Sequence, residues 1–165
     1  MPATAITLET VPAGARRGAF MDLLLLADES PEQVAGYIDL GTLYIAREGD
    51  DDNDAAAAGL ALVIPDGDGT EAELKSVAVR EDRQGRGIAR AMLAEVIDRQ
   101  RRAGVRRMTV ATGTSSLGPL ALYQKLGFRL LRVDRDFFSP ERGYPDEIWE
   151  NGIRLRDMVW LDLEL

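Results

Sequence analysis

The segment Val77-Ala78-Val79-Arg80-Glu81-Asp82-Arg83-Gln84-Gly85-Arg86-Gly87-Ile88-Ala89 reads as a strand that passes through a short loop into a helix. Two glycines in such a loop let the backbone approach a ligand, and the first free N–H groups of the helix form a natural phosphate site. It is not a P-loop, since no Gly-Lys-Ser/Thr follows, and not a dinucleotide fingerprint, since Arg90 stands where a third glycine is needed. A structural turn is the plain alternative. The sequence contains no cysteine and no histidine. Disulfides, thiolate ligands, cysteine nucleophiles, imidazole bases and the usual zinc sites are thereby removed, and no metal is expected. Carboxylates, hydroxyls, tyrosine, lysine and backbone amides remain as chemical tools.

The elements around this loop follow from hydrophobic periodicity. Residues 5–11 read as a first strand and 16–27 as a helix, with Phe20, Leu23, Leu24 and Ala27 at helical spacing. Ser30-Pro31-Glu32 supplies an N-cap with proline at the first helical position, opening a short helix to about Leu40. Residues 42–47 alternate as a strand. The run 48–54, EGDDDND, has no apolar side chain and reads as a mobile loop before a strand over 57–64. Turn chemistry at 65–69 leads into a strand over 71–79, which pairs with it as a hairpin. Ile88, Met92, Val96 and Ile97 keep to one face of a helix over 87–103 that stops near Gly104. A strand over 108–112, a helix over 117–126 stopped by Gly127, a strand over 128–136, a polar and aromatic loop over 139–152 and a strand over 155–163 complete the chain. That order predicts an α/β fold with a sheet of mixed direction and helices on its faces.

A sequence of 165 residues with 45% hydrophobic content suits a single domain over 1–165 with its own core. No stretch approaches the roughly 20 apolar residues of a membrane span, and the start lacks a signal-peptide pattern, so a cytoplasmic protein with no membrane partner is expected. The net charge of −8 argues against a nucleic-acid partner, which would call for surplus Lys and Arg. Between Arg80 and Arg107, nine arginines face only Glu81, Asp82, Glu95 and Asp98, so this segment could seat a compact anion. A solvated helix face with the pairs Glu95–Arg99 and Asp98–Arg102 is the other reading.

The spacing Gln84-x-x-Gly87-x-Ala89 after a Val-Ala-Val strand resembles motif A of the GNAT acyltransferases, written Gln/Arg-x-x-Gly-x-Gly/Ala. Downstream, Leu122-Tyr123-Gln124-Lys125-Leu126-Gly127-Phe128 resembles that family's second motif, Leu-Tyr-x-Lys-x-Gly-Phe. Two motifs in the right order, one helix and one strand apart, are more specific than either alone. The resemblance covers the chain from about Ala55 to its end, and the first 50 residues by element order only. The ending Glu150-Asn151-Gly152-Ile153-x-x-Arg156-Asp157-Met158 looks like a bacterial subgroup of unassigned acceptor. The resemblance implies one GNAT-type domain of α/β (α+β) class, with a mostly antiparallel central sheet, and acetyl-CoA as cosubstrate.

It further implies that the backbone of Gly85, Arg86, Gly87, Ile88 and Ala89 binds the CoA pyrophosphate, with Gln84 fixing the loop. The main chain of Val77, Ala78 and Val79 would pair with the pantetheine arm and orient the acetyl carbonyl. Arg83 and Arg86 could reach phosphates or lie as solvated surface arginines. Many members carry Asn seven residues before the second-motif tyrosine, where it contacts the cofactor; Ser116 stands there, able to cap a helix and donate one hydrogen bond.

Acetyl transfer to an amine needs a deprotonated amine, a stabilised oxyanion and a proton for the departing thiolate. By resemblance Tyr123 supplies that proton and also lies at the cofactor; a core aromatic is the alternative. An acceptor amine with a pKa near 10.4 arrives protonated at neutral pH, so a base is required. Glu73, four residues before Val77 on one strand, is expected to face the same side as Val77 and Val79, and several family members use a Glu there as base; a half-exposed, paired strand carboxylate is the alternative. Glu71 is further away on the same face. Asp136, Phe137, Phe138, Tyr144, Asp146, Glu147, Trp149 and Glu150 combine aromatic faces with carboxylates, which together favour a cation. Together with the resemblance they lead to the expectation of an N-acetyltransferase acting on the primary amine of a cationic small molecule, with a homodimer left open. A protein lysine or N-terminus as acceptor, a non-catalytic acyl-CoA-binding module and a mononucleotide-binding protein are the other readings.

Overall fold

Continuous apolar runs give β2 (Thr42–Arg47) and β3 (Gly59–Asp66), alternation gives β4 (Glu71–Val79), and β1 (Thr7–Val11) precedes them. The structure, a computed structural model, describes residues 4–165. It divides into two compact units, one running to Val105 and the other Arg106–Leu165. In the first unit the four strands pair antiparallel in sequence order. One face of this sheet presents Val11, Leu43, Ile45, Leu60, Leu62 and Ala78 to Phe20, Leu23, Leu24, Val34 and Tyr37, which come from helices α1 (Met21–Ala27) and α2 (Pro31–Tyr37) and the turn before them. The opposite face receives α3 (Ile88–Arg102), which buries Ile88, Met92, Leu93, Val96 and Ile97. There Gln100 Nε2 donates to the Tyr44 hydroxyl at 2.9 Å. The pairs Glu95–Arg99 and Asp98–Arg102 form on the outer side of α3.

The expected single helix over 16–27 is instead a 3₁₀ turn, Ala15–Phe20, followed by α1. The cause is Arg17, whose side chain is 1% exposed and turned inward. Its guanidinium donates to the carbonyls of Val11, Pro12, Ile38, Leu40 and Gly41 at 2.8–3.2 Å. Carbonyls at 38, 40 and 41 are thus spent on Arg17 rather than on a helix ladder, and α2 ends at Tyr37 instead of Leu40. Burial pulls the guanidinium pKa down, with the Asp39 carboxylate opposing, but an arginine remains charged. Ser30 caps α2 as the sequence predicts, accepting from the Gln33 N–H at 3.3 Å.

The acidic run 48–54 is tied at both ends, contrary to its reading as a mobile loop. Glu48 pairs with Arg83 at 3.1 Å. Asp54 meets Arg16 at 2.9 Å and Arg47 at 2.8 Å, and both arginines also hold Glu9, at 2.6 and 2.8 Å. Asn53 caps the 3₁₀ turn Asp54–Ala56, which delays β3 from 57 to Gly59.

In the second unit β5 (Arg107–Gly113), α4 (Leu117–Lys125), β6 (Arg129–Asp134), a short hairpin of β7 (Trp149–Glu150) and β8 (Ile153–Arg154), and β9 (Met158–Glu164) follow in order. Strand β9 pairs antiparallel with both β5 and β6. The hairpin has β7 inside the span read as loop and β8 just past its end, and the last strand starts at Met158 rather than 155. Among the described residues no helix is long and apolar enough to cross a membrane.

Replacing Arg17 by Met should leave a set of buried carbonyls without donors and destabilise the fold by about 3–5 kcal/mol, read as a lower urea midpoint. Arg17→Lys should recover only part of this, because three donors on a point charge cannot reproduce the planar fork.

The Glu9–Arg16–Arg47–Asp54 network predicts an acid sensitivity. A hydrogen bond from Arg16 is the largest influence on both carboxyls; burial opposes it and Arg47 adds to it, so both lie below their ordinary range. Lowered folded-state values mean that the stability they add is present above the unfolded pKa and lost as pH falls through the folded one. Melting temperature should therefore fall between about pH 5 and pH 2, and Glu9→Gln should flatten that slope.

Candidate active site

Strand β4 carries a bulge that the sequence does not announce. Ser76 pairs with Leu62 and Leu74 with Val63, so Lys75 has no opposite residue in β3. An extra residue reverses the faces of everything before it. Ala78 pairs with Leu60 and Ser76 with Leu62, on the face covered by α1 and α2. Val77 pairs with Ala61 and Val79 with Gly59, on the α3 face. Beyond the bulge Glu73 pairs with Ile64, which packs on the α1/α2 core, and Glu71 pairs with Asp66 on the same side. The expectation that Glu73 and Glu71 share a side with Val77 and Val79 does not hold. Lys75 confirms the direction, its Nζ lying 5.1 Å from the centroid of the Tyr37 ring of α2.

The loop after β4 is shaped by Gly85 and Gly87, both left-handed at φ 77° and 80°. An added Cβ would meet nothing within 4 Å at Gly85 and only Thr4 Oγ1 at 4.0 Å at Gly87. The glycines answer a backbone demand and leave open space beside the chain. The first helical bond runs from the Ala91 N–H to the Gly87 carbonyl, so the N–H groups of Ile88, Ala89 and Arg90 precede the ladder. No acidic residue lies in that first turn. Gln84 Nε2 donates to the Val79 carbonyl at 3.0 Å, folding the loop back on the strand. Arg83 is neither free nor solvated, being bonded to Glu48 and to the Ala56 carbonyl. Arg86 is 55% exposed and 3.9 Å from Glu48, and its carbonyl accepts from the Thr4 hydroxyl.

In the second unit Tyr123 is buried in α4, its ring 5.9 Å from Phe128 at 60°. Burial pushes the phenol pKa up to about 12, so the hydroxyl stays protonated at neutral pH. Ser116 occupies the α4 N-cap without making a side-chain cap bond. Its hydroxyl donates instead to Glu150 Oε2 at 2.6 Å. Glu150 comes from the hairpin β7–β8, whose turn is Asn151-Gly152 with φ 54° and 72°, the Asn-Gly pairing that a two-residue hairpin favours. Asn151 Nδ2 donates to the Ser115 carbonyl at 2.9 Å, docking the turn beside the start of α4.

The aromatic loop separates into two parts. Phe137, Phe138 and Tyr144 pack on one another at 5.0–6.0 Å, and Arg142 covers the Phe137 ring at 4.6 Å. That face has taken its own cation. Trp149 is 61% exposed, with its indole N–H 3.5 Å from Glu147.

The acetyltransferase (GNAT) family profile matches residues 19–128. The N-acetyltransferase YvbK of Bacillus subtilis is 39% identical over 144 residues, covering 87% of this chain and 88% of its own. A GNAT family acetyltransferase from Elizabethkingia anophelis, solved with acetyl-CoA bound, matches with a TM-score of 0.83 at 37% identity, over 97% of this chain and 98% of that one. The ribosomal protein bS18-alanine N-acetyltransferase of Salmonella typhimurium is 31% identical over 108 residues, 66% of this chain and 70% of its own. The chain belongs to the GNAT family of acetyltransferases. It is an acyltransferase with the α/β GNAT fold that the two motifs imply.

Gly87→Glu puts a side chain and a negative charge into the open space before α3. Calorimetric titration should show acetyl-CoA binding in the parent at micromolar to millimolar affinity and none in the folded variant. A folded variant that binds like the parent removes the loop from the cofactor site.

Proposed function

We propose that this chain transfers the acetyl group of acetyl-CoA to the primary amine of a cationic small molecule. The observation that carries the reading is the pair of left-handed glycines ahead of α3, which leaves the N–H groups of residues 88–90 unobstructed and without a competing carboxylate. The pyrophosphate binds there, at the positive end of α3. Backbone groups lie in the plane of the sheet, so the main chain of Val77 and Val79 can hold the pantetheine and acetyl carbonyl whichever way their side chains point. The amine then attacks the acetyl carbonyl from the α1/α2 face, the side on which the bulge puts Glu73.

Protons balance as follows. The ammonium gives one proton to Glu73, directly or through water, and the freed lone pair forms the N–C bond. As the C–S bond breaks, Tyr123 protonates the thiolate, and the second nitrogen proton restores the phenol. The products are an amide, CoA and a proton released to solvent.

Trp149 with Glu147 offers an aromatic face beside a carboxylate, which suits a cationic acceptor. The similarity to a bS18-alanine N-acetyltransferase favours a second reading, a protein N-terminus as acceptor. A thiol-release screen of polyamines and aminosugars against an alanine-terminated peptide separates the two, and release with no amine at all leaves only acyl-CoA binding.

Tyr123→Phe should lower turnover roughly 10²- to 10⁴-fold with acetyl-CoA affinity nearly unchanged. Glu73→Gln should also slow the reaction, but higher pH or an acceptor of lower pKa should restore part of the rate, since either supplies free amine without a base. Rescue should be absent in Tyr123→Phe. Near-parental turnover in Tyr123→Phe, with chemistry limiting, assigns Tyr123 to packing alone.

A further inference from the structure

A regularly alternating strand would send Lys75 and Ser76 to opposite faces. The bulge instead gathers Glu71, Glu73, Lys75 and Ser76 on the side covered by α1 and α2. Lys75 lies over the Tyr37 ring, and the Tyr37 hydroxyl donates to Asp28 at 3.1 Å. Ser76 is different: it is 4% exposed, and its hydroxyl has no hydrogen-bond partner among the described residues. Its neighbours along that face, Ala78 in its own strand and Leu62 across the ladder, are apolar. A buried hydroxyl without a partner costs stability, and alanine would fit the same ladder position without that cost.

We infer that the Ser76 hydroxyl binds the acceptor amine. An ammonium carries three donors and a hydroxyl oxygen accepts. One N–H faces Glu73, which takes the proton; a second is held by Ser76 Oγ, and the two together fix where the lone pair points when the proton leaves. Ser76 immediately precedes Val77, whose main chain orients the acetyl carbonyl in the proposed transfer, and its side chain lies on the face from which the amine comes. The inference rests on acetyl transfer with Glu73 as base.

The test compares Ser76→Ala with the parent in thiol release from acetyl-CoA, using spermidine, glucosamine and an alanine-terminated tripeptide as probes, alongside thermal melts. Turnover with the accepted probe should fall roughly 10- to 100-fold, the loss of one hydrogen bond to a charged partner. The KM for acetyl-CoA should be unchanged, and the melting temperature should equal or exceed the parent's. A structural role would move stability and activity down together, so this opposite movement identifies a ligand-binding hydroxyl. Ser76→Thr, which keeps the oxygen, should recover most of the rate. Parental kcat/KM for the amine in Ser76→Ala overturns the inference, as does a lowered melting temperature that accounts for the lost rate. Absence of thiol release by the parent with all three probes overturns the proposed transfer itself, and with it the role of Ser76.

Discussion

A β-strand distributes successive side chains to opposite faces, and one unpaired residue undoes that rule for everything on its far side. In β4 this residue is Lys75. Its effect is to divide a nine-residue strand into two parts with opposed loyalties. Val77 and Val79 direct their side chains to the α3 face, whereas Glu73 and Glu71 lie on the face that α1 and α2 cover. A strand of perfect alternation would have crowded the carboxylates and the α3-side valines onto one surface. The bulge lets a single strand keep its valines toward α3 while its acidic side chains turn to the opposite face.

That arrangement requires α1 and α2 to stay in place, and they are short helices with little strength of their own. Arg17 supplies much of the fixing. Its donors gather the end of β1 and the segment joining α2 to β2, pulling together carbonyls that lie 21 to 24 residues away along the chain. At the other end of the same face Arg16 and Arg47 clasp Glu9 and Asp54, which brings the acidic run against the sheet. Apolar packing fills the space between the two clusters. The cover is thus held at its edges by directional bonds and in its middle by burial, which suits a surface that must keep its shape while presenting polar groups.

Much of this was readable in the residues. Strands β2 and β4 occupy the ranges that alternation gives, and α3 begins where Gly87 and ends where Gly104 predict. The turn Gly85-Arg86-Gly87 was visible because glycine is a direct record of backbone demand. The hairpin at 149–154 was also written plainly, as Asn151-Gly152, but its strands are two residues each, too short for a period to register. The bulge left no such record, because Glu-Leu-Lys-Ser-Val alternates well enough to pass as a regular strand; only the pairing with β3 displaces Lys75. Arg17 was hidden for the opposite reason. An arginine next to another arginine in a helical stretch reads as surface, and nothing local says that its carbonyl partners come from a loop twenty residues on.

The ion pairs described in the first unit share a chemical property with a bearing on durability. Their cations are arginines: Arg16 and Arg47 around the acidic run, Arg83 beside the loop before α3, Arg99 and Arg102 along its outer side. Lys75 and Lys125 are the only lysines in the sequence. A guanidinium does not give up its proton in a protein, so it presents no lone pair to a thioester, whereas a surface ammonium does so a small fraction of the time. A catalyst that spends its working life in contact with an acylating agent is therefore built from clasps that the agent cannot cap. Slow adventitious acylation, which would cancel charges one by one on a lysine-bonded scaffold, has almost nothing here to consume.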